Sequence, residues 1–168
     1  MQAFNGNSRA AYLFCSILGL GRLPYLPGTA GSAAALLILF VPDNYLVPVL
    51  LVLLPVLFYI SMKAIAKVEQ NSGLSDPSFI IIDELIGMWV LLLLPVSRMG
   101  IYWTVLALLI FRIYDIAKPY PLNKINQMQG PFWVLIDDVI AAVMSAITLY
   151  LLYLGFQALA LVLLIFFK

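Results

Sequence analysis

The chain alternates long apolar runs with short polar breaks, and the runs are the wrong length and pattern for a water-soluble core. Tyr45–Ile60, Phe79–Val96 and Ile101–Ile116 are nearly continuous apolar stretches, and a last one runs from Phe132 almost to the C-terminus. Runs near 18 residues with few charges predict membrane helices. Tyr45–Ile60 carries Pro48 and Pro55, which predicts a kinked span. Taken as one helix, Phe132–Phe167 would extend about 54 Å against a hydrocarbon core of ~30 Å, so a break near Gly155 is expected.

Ahead of these runs the pattern is looser. Met1–Asn7 is polar, and Ala10–Leu20 is short and soon interrupted by Gly19, Gly21, Pro24 and Pro27, which favours a short interfacial helix over a signal peptide. Gly21–Ser32 reads as a loop with free backbone amides, because two prolines and several glycines disfavour a regular helix. Ala33–Val41 reads as a short helix of close-packing type, and Pro42-Asp43-Asn44 as a turn. Ser61–Ser78, with Lys63, Lys67, Glu69 and Asp76, belongs in water or among lipid headgroups. The expected architecture is all-α: a polytopic membrane helical bundle of four to five spans plus an interfacial N-terminal helix, forming one domain over residues 1–168. No internal repeat or linker is visible.

Composition sharpens this picture. Of 168 residues, 64% are apolar and 10% charged, where a soluble domain has roughly 25% charged. Mean hydropathy is +1.07. A formal charge of +1 offers no field to attract nucleic acid. There is no histidine, which removes Ser-His-Asp triads, imidazole bases and histidine-built zinc sites. The single cysteine, Cys15, is followed six residues later by Gly21 rather than arginine, against the spacing of cysteine phosphatases. It reads as a small buried apolar residue.

The few charges are unevenly placed. Asp83 and Glu84 open the run Phe79–Val96, Arg112, Asp115 and Lys118 close the run from Ile101, and Asp137 and Asp138 open the last. If these runs alternate in direction, all three groups reach one membrane face. Arg9, Arg22, Lys63, Lys67, Arg112, Lys118 and Lys124 then share that side, with Arg98 and Lys168 opposite, which makes it cytoplasmic. A carboxylate at mid-bilayer costs about 2.5–3.5 kcal/mol, so acids gathered there need a function.

Adjacent acids on a helix diverge by about 100°, so one member of each pair is expected at a shared ligand. Arg112, Asp115 and Lys118 follow one another at i, i+3, i+6 along one face. Clustered carboxylates repel unless a cation sits among them, and hard oxygen donors beside a phosphate site favour Mg²⁺. Arg112 and Lys118 suit phosphate oxygens, and Gly28 and Thr29 offer amides and a hydroxyl. Each piece has a plainer reading: Asp115 as an ion-pair partner, Asp83 or Asp138 as a helix cap, Pro27-Gly28-Thr29 as a turn. Tyr114, Trp89, Trp103 and Trp133 read as interface anchors or packing residues. The conjunction of the charged groups on one face points to metal-assisted phosphoryl chemistry.

At these residues the chain resembles the phosphatidylglycerophosphatase A family. The motifs, in order, are Pro27-Gly28-Thr29-Ala30-Gly31-Ser32, Ile82-Asp83-Glu84-Leu85-Ile86-Gly87-Met88-Trp89, Phe111-Arg112-Ile113-Tyr114-Asp115 with Lys118-Pro119-Tyr120-Pro121, and Ile136-Asp137-Asp138-Val139-Ile140-Ala141. The resemblance implies a multi-pass enzyme of the bacterial inner membrane. It would use Mg²⁺ to hydrolyse phosphatidylglycerophosphate, a phospholipid in the bilayer, to phosphatidylglycerol and phosphate at the cytoplasmic face. The metal would lie among Asp83, Glu84, Asp137 and Asp138, the phosphate at Arg112, Lys118, Gly28 and Thr29, and catalysis would involve Asp83, Asp115, Asp138, Arg112 and Lys118. Asp115 can be read as metal ligand, as orienter of Lys118 or as proton acceptor, and attack by water or by an aspartate stays open. Gly130-Pro131-Phe132-Trp133 stands where the family has a glycine-rich run, and its bulk would narrow the headgroup pocket. The rival readings are a cation- or proton-coupled transporter, which predicts acids spread through the bilayer and a repeat, and a non-catalytic scaffold.

Overall fold

A computed structural model describes residues 6–167, so Met1–Asn5 of the polar N-terminal start, and Lys168, lie outside it. Among the described residues seven α-helices follow in order: α1 (Gly6–Cys15), α2 (Pro27–Ala35), α3 (Asp43–Ser72), α4 (Ile82–Leu91), α5 (Ile101–Ala117), α6 (Leu122–Ile125) and α7 (Pro131–Phe166). No strand occurs among them, as an all-α fold requires.

The centre is α4, which packs on α7, α2 and α3, while α5 closes the bundle against α7. Two apolar clusters hold it. One gathers Leu46, Leu50, Met88, Leu91, Phe111 and Leu149, all essentially inaccessible. The other joins Cys15, Ile65, Val68, Ile82, Ile86 and Leu135 and seats α1 against α3. Cys15 is fully buried and its carbonyl accepts from Ile81 N–H at 2.9 Å. Burial, with Asp83 nearby, pushes its thiol up to about 12, which fits the inert apolar role.

Only α3 and α7 among the described residues are long and apolar enough to cross a membrane. The other apolar runs give shorter helices than four to five spans would need. Residues 79–96 contain just ten helical residues in α4, because the chain leaves the helix at Leu92 and turns through Pro95–Arg98. Ile101–Ala117 reaches 17.

Two further expectations are corrected. The segment from Pro27 is helix rather than loop: Pro27 takes the first helical position, where a missing N–H costs nothing. That helix then tightens into a 3₁₀ turn over Leu36–Phe40. Pro48 and Pro55 both lie inside α3, and much of the polar stretch, through Ser72, continues that helix to an αL cap at Gly73. Finally, α7 runs unbroken for 36 residues through Gly155. Nothing lies within 4 Å of a Cβ built there, so no packing constraint or inserted group interrupts the i→i−4 ladder.

The last two turns of α7 carry exposed Leu161, Leu164, Ile165 and Phe166. At the far end from the acids, Arg98 donates to Asp43 at 2.9 Å and ties the α5 entry to the start of α3.

Because α7 is continuous through an unpacked glycine, Gly155→Ala is expected to stabilise the protein by up to about 1 kcal/mol in detergent unfolding measured by circular dichroism. A loss of stability would indicate a bend that needs glycine.

Candidate active site

The first turn of α4, the last turn of α5, the second turn of α7 and the N-terminus of α2 converge on one cavity of about 710 Å³. Its wall includes Asp83, Glu84, Arg112, Asp115, Lys118, Asp137 and Asp138, with Gly28 at the α2 end. The three charged groups, far apart in the chain, thus meet at one place.

Two close sets of oxygens lie inside. Asp83, Glu84 and Asp138 each present a carboxylate oxygen within 4.8 Å of the others, and Asp115, Asp137 and Asp138 form a second such set, sharing Asp138. Both members of the first acidic pair therefore reach the common point, against the expectation of one per pair: Glu84 is one methylene longer and spans the extra rotation. Both members of the second pair also meet, in the set with Asp115. Asp138 belongs to both sets, while Asp137 is bound by the Lys118 ammonium.

Neither acidic pair caps its helix. The cap positions are Ile81 and Gly130, without side-chain cap hydrogen bonds, and Asp137 lies two turns into α7 rather than at its opening. Instead, buried oxygens are left without partners: Asp83 Oδ1, Glu84 Oε2, Asp137 Oδ1 and Asp138 Oδ2. Unpaired buried carboxylate oxygens are costly. An oxygen-binding divalent cation is the chemical group that such a donor set fits.

The cations are held separately. Arg112 Nη1 lies 2.5 Å from Asp115 Oδ2 and 3.8 Å from Glu84 Oε1. The Asp115 approach lacks hydrogen-bonding geometry, so Arg112 Nε and Nη1 are buried with their N–H groups unsatisfied. A guanidinium in that state is ready for an oxyanion. Lys118, in αL conformation at the end of α5, donates to Asn126 Oδ1 at 2.7 Å and to Asp137, and lies 3.9 Å from Asp115. Burial works against its charge, but the hydrogen bond and charge of Asp137, with Asp115 and Asp138 behind, hold its pKa above the ordinary lysine value of 10.5. Because the folded value is raised, this lysine's contribution to stability is complete at neutral pH and is lost only as pH rises through that value.

Gly28 is needed for closeness. A Cβ there would collide with the Glu84 carboxylate and sit 2.8 Å from the Arg112 guanidinium nitrogens. Gly87 has the same role a turn further into α4, where a Cβ would lie 2.8 Å from the Phe111 ring and 2.9 Å from the Asp138 carbonyl. Thr29 does not line the cavity, because the helical rotation of α2 carries its side chain away. The first amides of α2 remain unbonded within the helix in the usual way, since the first internal bond runs from Ala30 N–H to Leu26.

Several wall residues were not foreseen. Asp76, Ser75 and Ser78 come from the connection between α3 and α4, and Asn126, Gln127 and Gln129 from the segment after α6. No helical or strand spacing marks them, since they sit in irregular backbone; Asp76 has φ 47° and is tied through its N–H to Glu69 Oε1 at 2.9 Å. Trp133 lines the cavity rather than only packing, so some of the bulk after Gly130 does border the site. Phe132 turns aside onto Phe58 and Trp133. Trp89, Trp103 and Tyr114 keep structural roles: Trp89 Nε1 donates to the Ala35 carbonyl at 3.0 Å, Trp103 packs edge-on to Tyr153, and Tyr114 pairs with Thr148 at 2.8 Å.

The family model of phosphatidylglycerophosphatase A matches residues 13–153. Among curated relatives, a Bacteroides thetaiotaomicron protein carrying the provisional name phosphatidylinositol-3-phosphatase is 38% identical over 136 residues, covering 77% of this chain and 84% of that one. Phosphatidylglycerophosphatase A of Escherichia coli is 34% identical over 138 residues, covering 79% and 77%. The Haemophilus influenzae protein of the same name is 28% identical over 134 residues, covering 79% and 82%. No solved structure matches.

Removing Lys118 would leave Asp137 buried and unpaired. A double-mutant cycle with Lys118→Met and Asp137→Asn, followed by thermal unfolding at pH 7, is expected to give a coupling of about 0.5–3 kcal/mol, with the double variant more stable than Lys118→Met alone. Additive losses would show that the two do not act as a pair.

Proposed function

The chain belongs to the phosphatidylglycerophosphatase A family, and from that membership and the cavity we propose that it is a Mg²⁺-dependent phosphoric monoester hydrolase that converts phosphatidylglycerophosphate to phosphatidylglycerol and phosphate. The observation that carries this reading is the pairing, in one cavity, of unsatisfied carboxylate oxygens on Asp83, Glu84, Asp137 and Asp138 with unsatisfied N–H groups on Arg112. The first set suits a metal and the second a phosphate.

In this reading Asp83, Glu84 and Asp138 hold the divalent ion, with Asp138 and Asp137 able to take part in a second site. When bound, such an ion polarises the phosphoryl group and makes a bound water more acidic. Arg112 grips the phosphate oxygens through Nε and Nη1, fixed in position by Asp115. Lys118, held by Asp137 and Asn126, adds positive charge to the cavity that would take the phosphate. The free amides of Gly28 and Thr29 at the α2 N-terminus supply donors to the same anion. The Thr29 hydroxyl is left out.

For location, the reading is a bacterial inner-membrane protein with α3 and α7 crossing the bilayer and α2, α4 and α5 embedded beside them. The excess of Lys and Arg on the cavity side supports a cytoplasmic active site. Transport is disfavoured because the acids cluster at one end of the bundle rather than along its depth. The provisional name of the 38% identical relative motivates a second substrate, phosphatidylinositol 3-phosphate, whose phosphate is likewise a monoester on a lipid-linked polyol.

Purified protein in mixed micelles tests the proposal by phosphate release from both lipids. We expect turnover of phosphatidylglycerophosphate that stops with chelator and returns with Mg²⁺, and that falls roughly a hundredfold or more in Asp83→Asn or Asp138→Asn with folding intact. Arg112→Lys should lose most activity, because the bidentate grip is gone. Full turnover in both Asn variants, or indifference to chelator, would overturn the metal assignment, and a strong preference for the inositol lipid would replace the substrate.

A further inference from the structure

The cavity wall has two chemically different sides. Ser75, Asp76, Ser78, Asn126, Gln127 and Gln129 make the side formed by the irregular connections, polar apart from Met128. Where α2 meets α5, the wall includes Leu26 and Ile116, apolar and 65% and 66% exposed. Among the apolar wall residues these two are the most exposed, and exposed apolar surface beside a largely charged and polar cavity is expensive in water and needs a partner.

Ile116 is also the end of a line. Tyr102, Val105, Leu109, Ile113 and Ile116 are all exposed, and their spacing of 3, 4, 4 and 3 makes one stripe along α5. The stripe carries no charge over its length, which at helical rise is about 21 Å, against ~15 Å for the hydrocarbon of one leaflet. Its cavity end lies one turn from Arg112, which lines the cavity and keeps buried N–H groups without hydrogen-bond partners. The exposed apolar faces of α3, around Leu51 and Val52, and of the outer half of α7, around Leu151, do not reach the cavity.

We infer that the α5 stripe, entered between Leu26 and Ile116, is the track on which an acyl chain of a diacyl lipid phosphomonoester lies while its phosphate occupies the Arg112 cavity. This rests on the phosphatase reading and adds the route and orientation of the substrate. The lipid enters sideways from the bilayer through the α2–α5 mouth, and its polar headgroup faces the side made by Asn126, Gln127 and Gln129. Water and released phosphate pass over the polar connections on the opposite side.

The test uses the full chain in lipid nanodiscs with a non-hydrolysable diacyl phosphonate bearing a diazirine in one acyl chain. Labelled peptides after irradiation should map to residues 105–116 and to Leu26, and excess unlabelled substrate should compete the label away. In parallel, the double variant Leu109→Gln/Ile113→Gln should lose the preference for long-chain over dihexanoyl substrate by about tenfold in KM ratio while folding normally. Label confined to α3 or the outer half of α7, or an unchanged chain-length ratio, would overturn the track while wild-type phosphate release leaves the phosphatase reading standing. No phosphate release from any lipid by the wild type would overturn that reading, and the track with it.

Discussion

Concentrating six carboxylates, five of them in two close sets, at one end of an apolar bundle is the constraint from which the rest of this structure follows. Like charges this close, with buried oxygens lacking partners, are tolerated only where counter-charge is built in and more is to be bound. The built-in counter-charge is Arg112 and Lys118, each fastened to acids on its own helix or on α7. The remainder is the unsatisfied oxygen set around Asp138, a donor array of the kind that would suit a hard divalent ion. Stability is thereby given up locally for binding capacity.

The bundle is shaped to keep that arrangement compact. Asp83 and Glu84 sit in the first turn of α4, Asp138 two turns into α7, and α4 packs on α7 closely enough that Gly87 has no room for a side chain against Phe111 and the Asp138 carbonyl. Gly28 does the same for α2, letting its N-terminus abut Glu84 and Arg112. A helix that begins at the cavity brings both free amides and the positive end of its dipole to the place where an anion would sit. The apolar packing of Leu91, Phe111 and Leu149 behind the site fixes these helices relative to one another.

Local signals mislead where they compete with context. Prolines and glycines at 21–32 argue for irregular backbone, yet Pro27 fits the first turn of a helix and the small residues answer a packing demand that is invisible without α4 and α5. Gly155 marks a break only on the ground that a 36-residue helix overshoots the bilayer; the chain simply extends past the bundle, where nothing forces a bend. Asp76, Asn126, Gln127 and Gln129 carry no periodic pattern, so only their position around the cavity reveals them. Trp133 fits an interface anchor equally well until the rotation of α7 sets it in the wall.

Composition and hydrophobic run length were enough to establish an apolar all-helical protein, and the absence of histidine with three isolated charge groups pointed to carboxylate, arginine and lysine chemistry. These are properties of residue type and short-range order, which the linear chain carries directly. Which acids share a ligand position, that Asp137 belongs to Lys118, that Arg112 keeps unpaired N–H groups, and that Thr29 points elsewhere are matters of helix rotation and depth. Rotation of about 100° per residue sends neighbours in sequence to different faces, so only the packing of α2, α4, α5 and α7 could decide them.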